Sequence, residues 1–234
     1  MSAKDPPDTR DLVLPISNLD FLEESNLNTK TAELVGTCFL IGGRGYALTA
    51  GHVIDQIRKD RGYVLIRNGT KWDASLIYES EVHPNDDVGI VRFDHTRSLV
   101  SPIQLSDVDV TAGQDYHMWS YPEETASEVK NFPNHSASFA SFRPAIVFFR
   151  GYVRRSIYHN PNPNISIYRG ERYYEISEVA GACASGSPVL TPEGRVFAIY
   201  VGENSNRCGY ASMLSSALSW SPTVLGHSIL EEAT

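Results

Sequence analysis

Apolar residues in this chain fall in short runs or alternate with polar ones, and clusters of glycine, proline and asparagine interrupt them; helical spacing is scarce. Phe39-Leu40-Ile41, the turn Gly42-Gly43-Arg44-Gly45 and residues 46–49 predict a hairpin. Residues 63–67, the turn Asn68-Gly69-Thr70 and residues 74–78 predict a second, and 88–93 form a further apolar run. After a loop at 106–113 the pattern restarts at 116–121 and continues through 145–153, 165–168, 172–176, 188–190, 196–201 and 210–213. Short strands at this spacing predict barrels or a sandwich, and the break near 106–115 divides them into two groups. Residues 1–25 carry no strand signal beyond Leu12-Val13-Leu14 and read as an arm, ordered only where it lies against a barrel. Residues 213–220 predict a short helix limited by Pro222. The expected division is an arm over 1–25, a first barrel over 26–110, and a second barrel with a helical tail over 111–234.

With 234 residues, 41% of them hydrophobic, the chain can bury one large core or two smaller ones. Its 28 acidic and 20 basic residues give a net charge of −8, which argues against a grip on nucleic acid. The pair Arg154-Arg155 reads as a solvated loop end. The N-terminal stretch MSAKDPPDTRD is polar, and no later stretch approaches about 18 uninterrupted apolar residues, so neither a signal peptide nor a membrane partner is expected. Cys38, Cys183 and Cys208 are too few and too odd in number for a disulfide framework, which predicts a reducing, cytoplasmic setting. The sequons at Asn68, Asn134 and Asn164 then read as chance. No metal-ligand spacing of the Cys-x-x-Cys or His-Glu-x-x-His kind is present, so no metal and no cofactor is expected.

Three segments carry candidate chemistry. The first runs from Gly36-Thr37-Cys38 to Thr49-Ala50-Gly51-His52-Val53. The second is His83-Pro84-Asn85-Asp86-Asp87-Val88-Gly89-Ile90-Val91, and the third Cys183-Ala184-Ser185-Gly186-Ser187-Pro188-Val189. Each alone is a weak signal: most histidines and aspartates are packed or solvated, and Gly-Ser-Pro is an ordinary turn string. Taken in the order His, Asp, Ser, with 35 and 98 positions between them and β-type flanks around each, they resemble the chymotrypsin-like (trypsin-like) serine peptidases. The resemblance covers about residues 34–215 and is closest to the bacterial and viral-type short double-barrel branch without zymogen activation. It implies an all-β fold of two six-stranded antiparallel Greek-key barrels with a short C-terminal helix. The first barrel would supply His52 and Asp87 and the second Ser185. Asp86 fits the pattern less well than Asp87, because its next residue is not apolar.

In that family a serine hydroxyl attacks a peptide carbonyl once a base accepts its proton. The resemblance therefore makes Ser185 the nucleophile, His52 the base and then the acid, and Asp87 the group that holds the imidazole. The backbone N–H groups of Cys183 and Ser185 would form the oxyanion hole. Cys183 stands where the family has glycine, which predicts a hole at risk of misforming. Ala184 stands where many members carry aspartate, so activation by a new N-terminal ammonium is not expected. Gly181-Ala182-Cys183 partly imitates the cysteine nucleophile of the viral branch, yet Ser185-Gly186-Ser187-Pro188 fits the serine register better. By the same resemblance Val179, Tyr200, Gly202 and Gly209 would line the substrate pocket, with Glu203 near its rim and a neutral residue preferred at the cleavage position. The partners implied are a protein or peptide substrate and a regulatory protein. The alternative is a catalytically weak or partner-gated binding module that keeps the barrels.

Overall fold

Runs of β-branched and aromatic residues joined by glycine turns pair as antiparallel neighbours, and in this chain the pairing closes on itself twice. The computed structural model describes residues 9–21, 29–43, 45–68, 71–94, 101–123, 144–164, 168–204 and 207–234. The first barrel consists of β1 (Val13–Phe21), β2 (Thr29–Ile41), β3 (Tyr46–Thr49), β4 (Gly62–Asn68), β5 (Lys71–Val82) and β6 (Gly89–Phe93), closed in the order β1-β2-β3-β6-β5-β4. A short strand β7 (Gln104–Leu105) leads into the second barrel and pairs in parallel with Arg195 and Val196. The second barrel consists of β8 (Asp115–Ser120), β9 (Val147–Ile157), β10 (Tyr173–Ile176), β11 (Pro188–Leu190), β12 (Arg195–Asn204) and β13 (Cys208–Met213). Its ring β11-β8-β9-β10-β13-β12 is closed by the β11–β12 pairing. Closure removes the unpaired edges that an open sheet would present. The fold is thus two six-stranded antiparallel barrels with a short C-terminal helix. Among the described residues no helix is long and apolar enough to cross a membrane.

The hairpins at 39–49 and 63–78 form β2–β3 and β4–β5, although the turn residues Gly69 and Thr70 lie outside the described residues, as do 165–167 of the expected strand at 165–168. Arg154 and Arg155, read as a loop end, lie inside β9 and pair with Glu175 of β10, and two further expectations need correction. The stretch read as an arm contains β1, a full member of the first barrel paired with β2 and β4. Its polar Ser17 and Asn18 hide the strand in the sequence, yet both are buried beside Leu12, Val13, Leu14, Ile16 and Leu19. Asn18 is accommodated because its amide donates to Gln56 O at 3.0 Å and accepts from Arg58 N at 2.9 Å. A register shift between Ile16 and Ser17 adds the irregularity that breaks the two-residue period. The second correction concerns 213–220, which folds as successive turns with Ala217 N bonded to Leu214 O and Trp220 N to Ala217 O. The C-terminal helix lies further on, as α2 (Ile229–Glu232).

The tail after β13 returns to the first barrel. Tyr46 O–H donates to Val224 O at 3.1 Å, and the Glu81 carboxylate accepts from Thr223 N at 2.7 Å. Ile229 is wholly buried. A Cβ at Gly42, in the β2–β3 turn, would come within 2.6 Å of the Glu232 carbonyl oxygen, so that turn needs glycine where α2 sits on it. Ser228 and Glu231 form a reciprocal capping box at the start of α2. We expect Ser228→Ala to lower the unfolding free energy by about 1 kcal/mol in urea titrations, while Ser228→Asn should recover most of it.

Candidate active site

The site begins where β3 ends. Thr49 closes the strand, Ala50 is extended, and Gly51 opens α1 (Gly51–Gln56), so His52 falls in the first helical turn and is buried. Opposite, β6 pairs Gly89 with Thr49, which brings the residues just before β6 beside the start of α1. Asp87 is fully buried there. One of its carboxylate oxygens accepts from His52 Nδ1 at 2.7 Å and the other from His52 backbone N at 2.8 Å. A carboxylate accepts, so in this contact Nδ1 is the ring nitrogen that carries a proton and Nε2 is the one left for another partner. Asp86 is turned elsewhere. It lies 3.4 Å from His83 Nδ1, and that nitrogen accepts from the backbone N–H of Asp86 at 2.9 Å and of Asn85 at 3.3 Å. The structure thus separates the two adjacent aspartates, one for each histidine.

Ser185 lies on the turn before β11. Its carbonyl accepts from Thr37 N at 2.8 Å, across the junction between the barrels. Thr37, fully buried in β2, makes three further bonds. Its hydroxyl donates to Cys183 O at 3.1 Å and accepts from Tyr121 N at 3.2 Å, while its carbonyl accepts the Thr49 hydroxyl at 2.7 Å. Gly186 has φ of +93°, and a Cβ there would run into the Thr37 carbonyl oxygen. The turn therefore presses on both strands that lead to His52. The Ser185 hydroxyl donates to Val201 O at 3.2 Å, and among the described residues it makes no bond to His52.

The peptide planes of this turn are fixed in sequence. Ala182 O accepts from Glu123 N at 2.8 Å, and Ala184 O accepts from Ser187 N at 3.2 Å and from the Ser187 hydroxyl at 2.6 Å. Trans peptides point N–H and C=O to opposite sides, so the N–H groups of Cys183 and Ser185 face away from those anchors. The Ser185 N–H has no hydrogen-bond partner among the described residues. Cys183 adopts φ of +64°, a left-handed conformation that costs an L-residue roughly 1–2 kcal/mol. Its thiol donates to Leu34 O at 3.1 Å.

Of the residues assigned to a substrate pocket, Tyr200 and Gly209 are in contact: a Cβ on Gly209 would lie 2.7 Å from Tyr200 Cε2. Val179 is half-buried on the segment that leads to the Ser185 turn. Gly202 faces Tyr168, whose hydroxyl would be 3.1 Å from an added Cβ. Sequence reading gave no role to Thr37, His83 or Tyr121. The Thr37 hydroxyl meets partners 84 and 146 positions away, which no local motif encodes.

The sequence profile of the trypsin-like peptidase domain family matches residues 36–199. No curated protein matches the chain. Among solved structures, the active form of the Rv3671c protease from M. tuberculosis is 16% identical with a TM-score of 0.60, over 94% of this chain and 83% of that one. The MamO protease domain from Magnetospirillum magneticum is 13% identical with a TM-score of 0.60, over 89% and 94%. The HtrA-type protease AlgW, solved with a decapeptide, is 14% identical with a TM-score of 0.62, over 90% of this chain and 63% of that one. At these identities the likeness is one of fold.

Two outcomes follow from the geometry. Thr37→Val keeps the shape but leaves the Tyr121 N–H and Cys183 carbonyl without their partner, and should cost about 1–3 kcal/mol in denaturant titrations; Thr37→Ser should recover most of it. Burial lowers the His83 pKa from its ordinary value of 6.5, against the opposing pull of Asp86. The unfolded chain then takes up this proton first, so the contribution of His83 to stability is complete above pH 6.5 and is lost as pH falls below it. Between about pH 6.5 and 5 the wild-type Tm should drop more than that of His83→Asn, whose side-chain oxygen can accept the same backbone bonds.

Proposed function

The chain belongs to the trypsin-like peptidase domain family, and we propose that it is a serine endopeptidase acting on protein or peptide substrates through Ser185, His52 and Asp87. The observation that carries this reading is the double hold of Asp87 on His52, at Nδ1 and at the backbone N–H, which leaves Nε2 as the basic nitrogen. A histidine set in that tautomer is a competent general base.

The reaction needs one rotation first. The Ser185 hydroxyl leaves Val201 O by turning about its Cα–Cβ bond to another staggered position. As Oγ bonds to the substrate carbonyl carbon, its proton passes to His52 Nε2 and the carbonyl oxygen takes the negative charge. The Cys183 and Ser185 N–H groups receive that oxygen, because the carbonyls of Ala182 and Ala184 are held on the far side of their peptide planes. The C–N bond then breaks, the amine leaves with the proton from Nε2, and the acyl group remains on Ser185. Water adds with its proton taken by His52, and the acid departs as the proton returns to Ser185 Oγ. Each donor to the oxyanion is worth about 10²–10³ in rate. Cys183 reaches the left-handed conformation that glycine adopts without strain, so the hole is formed in the free protein on this reading. Cys38, Cys183 and Cys208 are too few and too odd in number for a disulfide framework, and on that ground we assign the protein a reducing setting.

A second reading, an enzyme gated by its substrate or a regulatory partner, draws on the Ser185–Val201 bond, which holds the hydroxyl away from the histidine. An alkyl fluorophosphonate separates the two. The first reading expects rapid labelling that Ser185→Ala abolishes and Cys183→Ala retains. A gated enzyme labels slowly until a peptide is added. In peptide hydrolysis, Asp87→Asn should lower the rate by roughly 10⁴, because the imidazole loses its tautomer. Labelling that survives Ser185→Ala would contradict the proposal.

A further inference from the structure

The residue that donates the reacting carbonyl must place its side chain beside Ser185. Two segments flank that position: residues 179–183, which run into the serine turn, and the end of β12, where Val201 O touches the Ser185 hydroxyl. The space between them is crossed by two side chains. Tyr200, from β12, is wholly buried, and its hydroxyl accepts from Ala180 N at 3.1 Å on the facing segment. Its ring lies against the Cα of Gly209, where an added Cβ would meet Cε2 at 2.7 Å and Glu178 O at 2.5 Å. Nearer the opening, the Glu203 carboxylate accepts from Gly181 N at 3.2 Å and lies 3.5 Å from the Tyr200 hydroxyl.

From this arrangement we infer that Tyr200 fills the primary specificity pocket and restricts cleavage to positions after small, uncharged residues such as glycine, alanine and serine. The inference rests on the peptidase reading above and goes further by naming the substrate class. A phenol ring bonded across the pocket occupies the volume that an aromatic or long aliphatic side chain would need. Displacing it would strand the Ala180 N–H in a buried place, a loss that a large side chain without an acceptor cannot restore. Lysine and arginine are excluded by the same loss of volume, since the ring leaves no room for their long stems, while the Glu203 carboxylate is turned onto Gly181 N and the Tyr200 hydroxyl. Its negative charge at the opening disfavours acidic residues. Tyr200 is a specificity-determining residue on this account; it takes no part in the bond-making steps.

The test uses three diphenyl phosphonate esters of one acyl-dipeptide, ending in the alanine, phenylalanine or lysine analogue, with an alkyl fluorophosphonate beside them. Rates of adduct formation on Ser185 are read by intact mass. The wild-type protein should react with the alanine probe at least about tenfold faster than with either of the others. Tyr200→Ala, shown to be folded by its reaction with the fluorophosphonate, should gain at least about tenfold for the phenylalanine probe relative to alanine. Wild-type protein that takes phenylalanine or lysine as fast as alanine overturns the inference while leaving the peptidase reading intact. The same holds if Tyr200→Ala keeps the wild-type order of probes. Failure of the fluorophosphonate to label wild-type protein removes the peptidase reading, and the inference with it.

Discussion

The bonds of Thr37 hold the serine turn of one barrel against the strand of the other that leads to the histidine. Its N–H, hydroxyl and carbonyl reach Ser185, Cys183, Tyr121 and Thr49, and it is fully buried. Each bond contributes only about 1 kcal/mol net, but each buried group left without its partner would cost about 1–3 kcal/mol. That asymmetry makes the junction cooperative, since slipping the barrels past one another would orphan several groups at once. Gly186 adds a steric condition, because no side chain fits between the turn and the Thr37 carbonyl. The tail closes the same junction from behind, tying Val224 and Thr223 to Tyr46 and Glu81 of the first barrel.

With the junction fixed, the chemistry depends on small local choices. Asp87 faces His52 and Asp86 faces His83, so one turn of chain supplies both a partner for the imidazole and a brace for itself. Gly170 in the second barrel packs against the same turn, where an added Cβ would meet Asp86 Oδ1 at 2.9 Å. In the serine turn the Ala182 and Ala184 carbonyls are anchored, and under the proposed mechanism the Cys183 and Ser185 N–H groups on the opposite sides of those peptides would receive the oxyanion. Preorganised dipoles of this kind are the usual source of rate in acyl transfer, because no reorientation is needed as charge develops. The strain at Cys183 is tolerated because the turn around it is held at the carbonyls of residues 182 to 185.

Much of this was readable in the chain. Glycine turns and alternating strands mark both barrels, and the flanks of His52 and Asp87 mark the pair that the fold brings together. β1 is hidden in the sequence because Ser17 and Asn18 interrupt its alternation, and the burial of Asn18 is accommodated by residues 38 and 40 positions away. The helix expected at 213–220 is absent because Met213 still belongs to β13 and the residues after it bond at a spacing of three, Ala217 N to Leu214 O and Trp220 N to Ala217 O. Thr37 illustrates the limit of motif reading. A threonine in a strand is ordinary in sequence, and what distinguishes it is a partner at Cys183 that only the closed fold brings within reach. The resemblance singles out Tyr200, but its bond to Ala180 N is likewise visible only in the fold.

The central claim is that Ser185 attacks a carbonyl whose oxygen is received by the Cys183 and Ser185 N–H groups. A crystal structure of the protein with a peptide aldehyde ending in alanine tests it most directly. The account predicts a bond from Ser185 Oγ to the aldehyde carbon, the hydroxyl gone from Val201 O, and the hemiacetal oxygen about 2.7–3.1 Å from both N–H groups. An adduct on Cys183 Sγ, or a hemiacetal oxygen turned away from both donors, would contradict it.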